Sequence, residues 1–182
     1  MTLEHANFPE GLDAFLAAAG WGGADVEPLP GDASFRRYFR IRSVDGATAM
    51  LMDAPPPQED IGPFLRAAHW LDDNGLRPPR ILAEKPDKGL ILMEDFGEAR
   101  MRDYLDQWPA DEAAVYSAAI DALAKLHQLP AGPFLDYSLA EYIREVKLFI
   151  DWYCTAQSLY VDAAGFVSAW EQALSPLLPR QR

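Results

Sequence analysis

Four arginines, Arg36, Arg37, Arg40 and Arg42, fall within seven residues of a chain whose net charge is −12. A guanidinium group presents a planar fork of donors that suits phosphate and carboxylate. A cationic cluster in an acidic protein therefore points to a bound anion. Immediately before it stand Gly31, Asp32, Ala33 and Ser34. A tight connection of small residues leaves backbone N–H groups able to approach an anion. Taken alone, an ordinary hairpin with a solvated basic face is the simpler account, since Gly-containing turns are common. The second chemistry-bearing group is Glu94-Asp95-Phe96-Gly97, entered directly from the apolar run LILM. Backbone groups at such a crossing can hydrogen-bond the edge of a planar base, although a strand end with two solvated carboxylates is again the simpler account. His127, near the end of a helical pattern, reads as a packed or capping residue whose positive form suits a helix C-terminus. Cys154 lies in an apolar helical pattern and reads as packing.

The elements that must carry these residues follow from periodicity. Leu12, Phe15, Leu16 and Ala19 recur at helical spacing before Gly20, which predicts a helix over 8–19. A short strand at 26–30 comes next. Phe39 and Ile41 alternate with Arg40 and Arg42, the pattern of a half-buried strand over 37–42. A third strand spans 47–53 and ends at Pro55, Pro56 and Pro57. Asp60 can cap a helix striped by Ile61, Phe64, Leu65, Ala68 and Leu71 and closed by Gly75. ILAE and GLILMED form a hairpin through PDKG, with Pro86 at the first turn position and Gly89 in the left-handed one. Short turns between strands require an antiparallel sheet. Phe39, Ile41, Leu51, Leu65, Leu71, Ile91 and Met93 are expected to share one core. After about residue 98 the pattern is helical: 111–128 through Val115, Ala119, Ile120 and Leu123; 138–160, opened by Ser138 and Glu141 and lined by Ile143, Val146, Phe149, Ile150 and Tyr153; and a last helix capped by Asp162. The predicted domains are 1–97, an α+β unit with a five-stranded antiparallel sheet and its helix, and 98–182, a partial helical lobe.

Composition narrows the function classes. Hydrophobic residues make up 49% of the 182 residues, enough for a packed core. A net charge of −12 argues against a nucleic-acid partner. No apolar run approaches the roughly 20 residues needed to span a bilayer, and the acidic N-terminal segment does not read as a signal peptide. One cysteine cannot make an internal disulfide, so a cytoplasmic location is expected. Nothing in the sequence bears on oligomeric state.

The order of these segments resembles the aminoglycoside phosphotransferase-like family, relatives of protein kinases, and within it the branch of N-acetylmuramate/N-acetylglucosamine anomeric kinases of cell-wall recycling. GDASFRRYFRI, LMDAPPPQED, PFLRAAHWLDDNGLRPPRILAE, GLILMEDFG and LAKLHQLP carry the resemblance, across roughly residues 26–130. DASFRRYFR followed by MDAPP is the specific part; LAKLH is shared widely. The resemblance implies a protein-kinase-like N-lobe and transfer of the ATP γ-phosphate to a sugar or amino-sugar hydroxyl. It implies that Gly31, Asp32, Ala33, Ser34, Arg36 and Arg37 cover the phosphates, that Met93 backs the adenine pocket, and that the Glu94 carbonyl and Phe96 N–H bind the adenine edge. ATP and Mg2+ are the implied cofactors.

Two departures stand out. Such folds carry a lysine on the third strand paired with a glutamate on the following helix; here that strand, AMLMDAPP, has Asp53 and no lysine, and the helix, Ile61 to Asn74, has no glutamate. Arg37 or a neighbour is the expected substitute. No His-x-Asp motif occurs, and no asparagine follows Asn74. The catalytic aspartate and Mg2+ ligands are therefore expected outside these residues, and the chain alone is expected to be inactive. Asp151, in FIDW, sits inside a helical pattern and is rejected as a metal ligand. Rival expectations are a non-catalytic nucleotide-binding or regulatory module derived from such a kinase, and an aminoglycoside or choline-type kinase.

Overall fold

A computed structural model describes residues 8–31 and 34–180. Two compact units divide the chain, Met1–Gly132 and Pro133–Arg182. The change from sheet to helix after residue 97, where the sequence placed a domain boundary, lies within the first unit.

The first unit opens with helix α1 (Leu12–Ala18) and strands β1 (Asp25–Pro28), β2 (Arg37–Arg42) and β3 (Thr48–Asp53). Helix α2 (Gly62–Asp73), β4 (Ile81–Lys85) and β5 (Leu90–Glu94) follow, then α3 (Met101–Gln107) and α4 (Glu112–His127). The five strands make one antiparallel sheet in the order β1-β2-β3-β5-β4. The α+β class and the antiparallel sheet agree with the sequence reading. The N-cap of α2 is Ile61, one residue after the expected Asp60, which instead accepts the Gly62 N–H at 2.8 Å in a turn just before the helix.

Of the seven residues expected in one core, six divide between two. Phe39, Ile41 and Leu51 pack with Leu90, Leu92 and the α1 residues Leu12, Phe15 and Leu16. Met52, Ile91 and Met93 pack with Ile61 and Leu65 of the α2 segment. Leu71 is only half-buried. The reason is the two-residue period of a strand. Directly paired residues share a face, and neighbours along the strand take opposite ones. Leu51 pairs Leu92 while Met52 pairs Ile91. Because a helix covers each face, β5 is buried on both, which explains the unbroken apolar run from Leu90 to Met93.

The β4–β5 turn brings Gly89 against the end of β3. The Ala54 N–H donates to the Gly89 carbonyl at 2.9 Å. Gly89 has φ +69°, and a Cβ there would lie 2.0 Å from the Ala54 carbonyl oxygen. Gly89→Ala is therefore expected to cost about 2–4 kcal/mol, combining a left-handed backbone penalty with overpacking. Chemical denaturation checks this; a loss below about half a kcal/mol would contradict the close approach.

On α4 the apolar stripe is amphipathic as read, yet Ile120 and Leu123 are exposed. Its end is tied to the end of α2, where the Lys125 ammonium donates to the Gly75 carbonyl. His127 lies exposed in the last turn of α4.

The second unit contains α5 (Leu139–Leu148), a π-helical stretch (Phe149–Cys154) and α6 (Ala163–Leu174). Ser138 accepts the Glu141 N–H at 3.2 Å and Asp162 the Gly165 N–H at 3.0 Å, so both predicted caps form. The sequence had predicted one helix through this region. The π-helical stretch, with one residue more per hydrogen-bonded ring, interrupts it where three aromatic rings meet. Phe149 stacks on Tyr153 at 5.2 Å and on Phe166 at 6.1 Å. Cys154 is buried, as a packing residue should be.

Candidate functional site

The arginine cluster is built on β2 and the residue before it, so strand alternation sorts its members. Arg37 lies on the α1 face. Its guanidinium sits 5.7 Å from the Phe39 ring centroid and donates to Asp53 Oδ2 from Nε at 2.8 Å and from Nη2 at 2.5 Å. Asp53, buried at the end of a β3 that has no lysine, is thus neutralised by the cross-strand residue. Arg40 lies on the α2 face, paired with Met50 in the register that continues to Met93. Arg42 bonds Glu27 at 2.8 Å across the β1–β2 pair. Arg36 donates from Nε to Glu59 Oε2 at 3.0 Å. Glu59 belongs to the segment leading into α2, outside the helix in which the sequence lacked a glutamate.

Each of the four arginines therefore has a carboxylate partner. The cationic cluster is a set of ion pairs tying β2 to four different segments.

Arg40 makes the most buried of these. Its side chain is 9% exposed and that of Asp95 3%. Arg40 Nε donates to Asp95 Oδ2 at 2.7 Å, and a terminal nitrogen bonds Glu98. Burial by itself would push the Asp95 carboxyl up. The Gly97 N–H, at 2.9 Å, and Arg40 outweigh burial and hold it below its ordinary value. Arg40 thereby pins the segment after β5 to the second strand. Sequence reasoning missed this bond because its partners are 55 residues apart; the alternation that put Arg40 opposite Phe39 and Ile41 was the only signal.

A second clamp holds the same segment. Arg77 bonds both Glu94 carboxylate oxygens, at 2.7 and 2.6 Å, and lies 5.0 Å from the Phe96 ring centroid. The Arg77 guanidinium holds the Glu94 carboxyl down to about 2. The sign follows from linkage: a carboxyl lowered by folding contributes stability that is complete above its unfolded value and lost as pH falls toward 2. A carboxylate-detected NMR titration is expected to find the Glu94 midpoint near 2 and, in Arg77→Ala, closer to an ordinary glutamate. An unchanged midpoint would contradict the clamp.

Among the described residues, the Phe96 N–H makes no backbone hydrogen bond, and the Phe96 side chain is exposed. Met93 is buried on the α2 face. At the other end of β2, Gly31 has open space around its Cα, and the Arg36 N–H donates to Ser34 Oγ at 3.1 Å. Asp32 and Ala33 lie outside the described residues. Met93 and Arg40 share the α2 face, and Arg36, before β2, is tied to the α2 segment through Glu59. Arg37 is on the opposite face. An apolar wall, an edge donor and a guanidinium in this order suit a purine and its phosphates. Among the described residues, no group of three or more His, Cys, Asp or Glu side chains lies together as a metal cage. Asp151 is in the π-helical stretch of the second unit. No helix among the described residues is long and apolar enough to cross a membrane.

Residues 25–182 match the phosphotransferase enzyme family. The chain is 39% identical over 173 residues to the N-acetylmuramate/N-acetylglucosamine kinase of Pseudomonas aeruginosa, which covers 93% of this chain and 50% of that protein. It is 39% identical over 149 residues to the Pseudomonas putida protein of the same name, covering 79% and 43%. A third relative of that name, from Caulobacter vibrioides, is 29% identical over 201 residues, covering 90% and 54%. The chain spans about half the length of these curated relatives.

Proposed function

The chain belongs to the phosphotransferase enzyme family, and from that premise we propose that it is the ATP-binding part of a kinase acting on a sugar or amino-sugar hydroxyl. The observation that carries this is the order along the sheet: Met93 on the α2 face, the Phe96 N–H just past the end of β5 with no backbone hydrogen bond among the described residues, and Arg36 just before β2, tied to the α2 segment. The names of the relatives supply the acceptor class: an amino sugar of the N-acetylmuramate or N-acetylglucosamine type. A cytoplasmic site of action, where ATP is available, belongs to the same reading.

The roles of the chain's own residues follow. Met93 offers the adenine an apolar, polarisable wall. The Phe96 N–H donates to the base edge and the Glu94 carbonyl accepts from it. Gly31, Asp32, Ala33 and Ser34 bring backbone N–H groups to the phosphates, and Arg36 or Arg37 neutralises phosphate charge; the α2-face placement favours Arg36. Arg40 and Arg77 hold the base-binding turn in shape. When bound, ATP supplies the γ-phosphoryl group and Mg2+ neutralises its developing charge. The Mg2+ ligands and the catalytic aspartate belong to polypeptide other than these 182 residues.

The test is a chimera in which this chain replaces the matched half of the Pseudomonas aeruginosa kinase. ATP- and Mg2+-dependent formation of N-acetylglucosamine phosphate by the folded chimera is the expected result. A folded chimera that turns over no amino sugar would reject the proposal.

A further inference from the structure

We propose that Glu59 is the positioning residue that holds the Arg36 guanidinium for a nucleotide polyphosphate. This rests on the nucleotide reading above and adds to it a role for Glu59, which lies within LMDAPPPQED but is given none by the resemblance.

Elimination brings Arg36 forward. Arg37 is engaged by Asp53 on the α1 face, Arg40 by Asp95 and Glu98 after β5, and Arg42 by Glu27 on the first strand. Arg36 alone of the four is paired with an acid from the segment that leads into α2, on the face carrying Met93. Its side chain remains 36% exposed, while that of Glu59 is 18% exposed. The carboxylate is thus the fixed partner and the guanidinium the accessible one.

Glu59 is itself anchored. Its N–H donates to the Pro55 carbonyl at 3.2 Å. The stretch it belongs to is fastened at one end by the Ala54–Gly89 hydrogen bond and at the other by the bond from the Gly62 N–H to Asp60. A carboxylate held this way spends little ordering entropy in gripping a long side chain. Glu59 engages Nε, and a guanidinium has four further N–H donors on its terminal nitrogens. The same side chain can then serve a second anion without leaving the first. Glu59 also keeps the Arg36 pKa above its ordinary value, chiefly through that hydrogen bond.

The proposal makes a prediction of unusual sign. Glu59 is an anion, so by charge alone its removal should tighten polyphosphate binding. If its role is to position Arg36, removal should weaken binding. The experiment titrates the 182-residue chain with ATP and, separately, with AMP, following amide shifts so that weak binding is measurable. Glu59→Gln, which keeps an acceptor for Arg36 Nε but exchanges the charge-assisted hydrogen bond for a weaker neutral one, is expected to weaken ATP about tenfold and to leave AMP unchanged. Arg36→Ala is expected to do the same. The charge-swapped pair Arg36→Glu with Glu59→Arg should restore thermal stability without restoring ATP affinity, which a merely structural ion pair would not do.

Unchanged or tighter ATP binding in Glu59→Gln, with Arg36→Ala impaired, would overturn the positioning role and leave the nucleotide site intact. Equal losses for ATP and AMP would also overturn it, because a phosphate-directed guanidinium acts only where the polyphosphate is present. Absence of binding of either nucleotide to the wild-type chain would remove the nucleotide reading and this proposal together.

Discussion

The isolated 182-residue chain, supplied with ATP, Mg2+ and a panel of amino sugars, is expected to form no sugar phosphate, while the chimera with the Pseudomonas aeruginosa kinase does. Phosphoryl transfer in this fold depends on positioning and charge neutralisation, with no covalent intermediate to supply part of the work. The 182 residues contain no His-x-Asp motif and no asparagine after Asn74. A nucleotide bound without metal ligands keeps its phosphates mutually repelling, and an acceptor hydroxyl without an oriented carboxylate has no directed proton acceptor. One positioned stabilising group is worth ~10³–10⁵ in rate, so losing two or more places turnover below detection. Asp95 cannot compensate, because Arg40 and the Gly97 N–H occupy its oxygens. Asp136 and Asp151 belong to the second unit and have no metal-binding cluster around them among the described residues. Mass-spectrometric detection of sugar phosphate is the readout. Multiple turnover by the chain alone, abolished by Asp151→Ala, would contradict this and make FIDW a metal site. Nucleotide binding by the chain with no turnover in the chimera would favour a regulatory nucleotide-binding module.

Arg40→Ala is expected to cost about 3–5 kcal/mol, the range for breaking a buried ion pair from one side. The loss comes from what remains behind. The Asp95 carboxylate, 3% exposed, would keep the Gly97 N–H but lose its counter-charge. The variant should therefore raise the Asp95 pKa, and its deficit relative to wild type should narrow on acidification. Two effects act in that direction: the wild type loses the contribution of its lowered carboxyl as pH falls, and the variant's carboxyl becomes neutral. Urea denaturation at several pH values measures both. A deficit below about 1 kcal/mol, or one independent of pH, would contradict the buried pair. Arg42→Ala supplies the contrast: its bond to Glu27 joins two half-exposed side chains, and such pairs are worth about 0–1 kcal/mol.

Much of the sheet was readable because its signals are local. Phe39 and Ile41 alternate with arginines, Pro86 and Gly89 specify a turn, and Asp162 precedes an apolar run, so β2, the β4–β5 hairpin and the start of α6 follow from neighbours in sequence. The two-sided core was not readable. Leu51 and Met52 are both apolar, and which helix each meets depends on chain segments tens of residues away. The same limit applied to the candidate site. The motifs marked Arg36, Met93 and Phe96, and their order is what linked them. The ion pairs that decide what each arginine faces were hidden, since Glu59 sits in a proline-rich connection and Asp95 is 55 residues from Arg40. The sequence offered Arg37 or a neighbour in place of a third-strand lysine; strand alternation puts Arg37 on the α1 face, whereas Arg36, just before β2, is tied to the segment leading into α2. The π-helical stretch at Phe149–Cys154 interrupts a continuous apolar periodicity and leaves no mark in it.

The central claim is that one face of this sheet, from Arg36 to Phe96, receives a nucleotide. Amide shift mapping of the 182-residue chain with a non-hydrolysable ATP analogue tests it most directly. The account predicts perturbations at Gly31, Ser34, Arg36, Met93, Glu94 and Phe96, with the α1 residues Leu12, Phe15 and Leu16 on the opposite face unaffected. Perturbations confined to residues 138–174, or none at millimolar analogue, would contradict it.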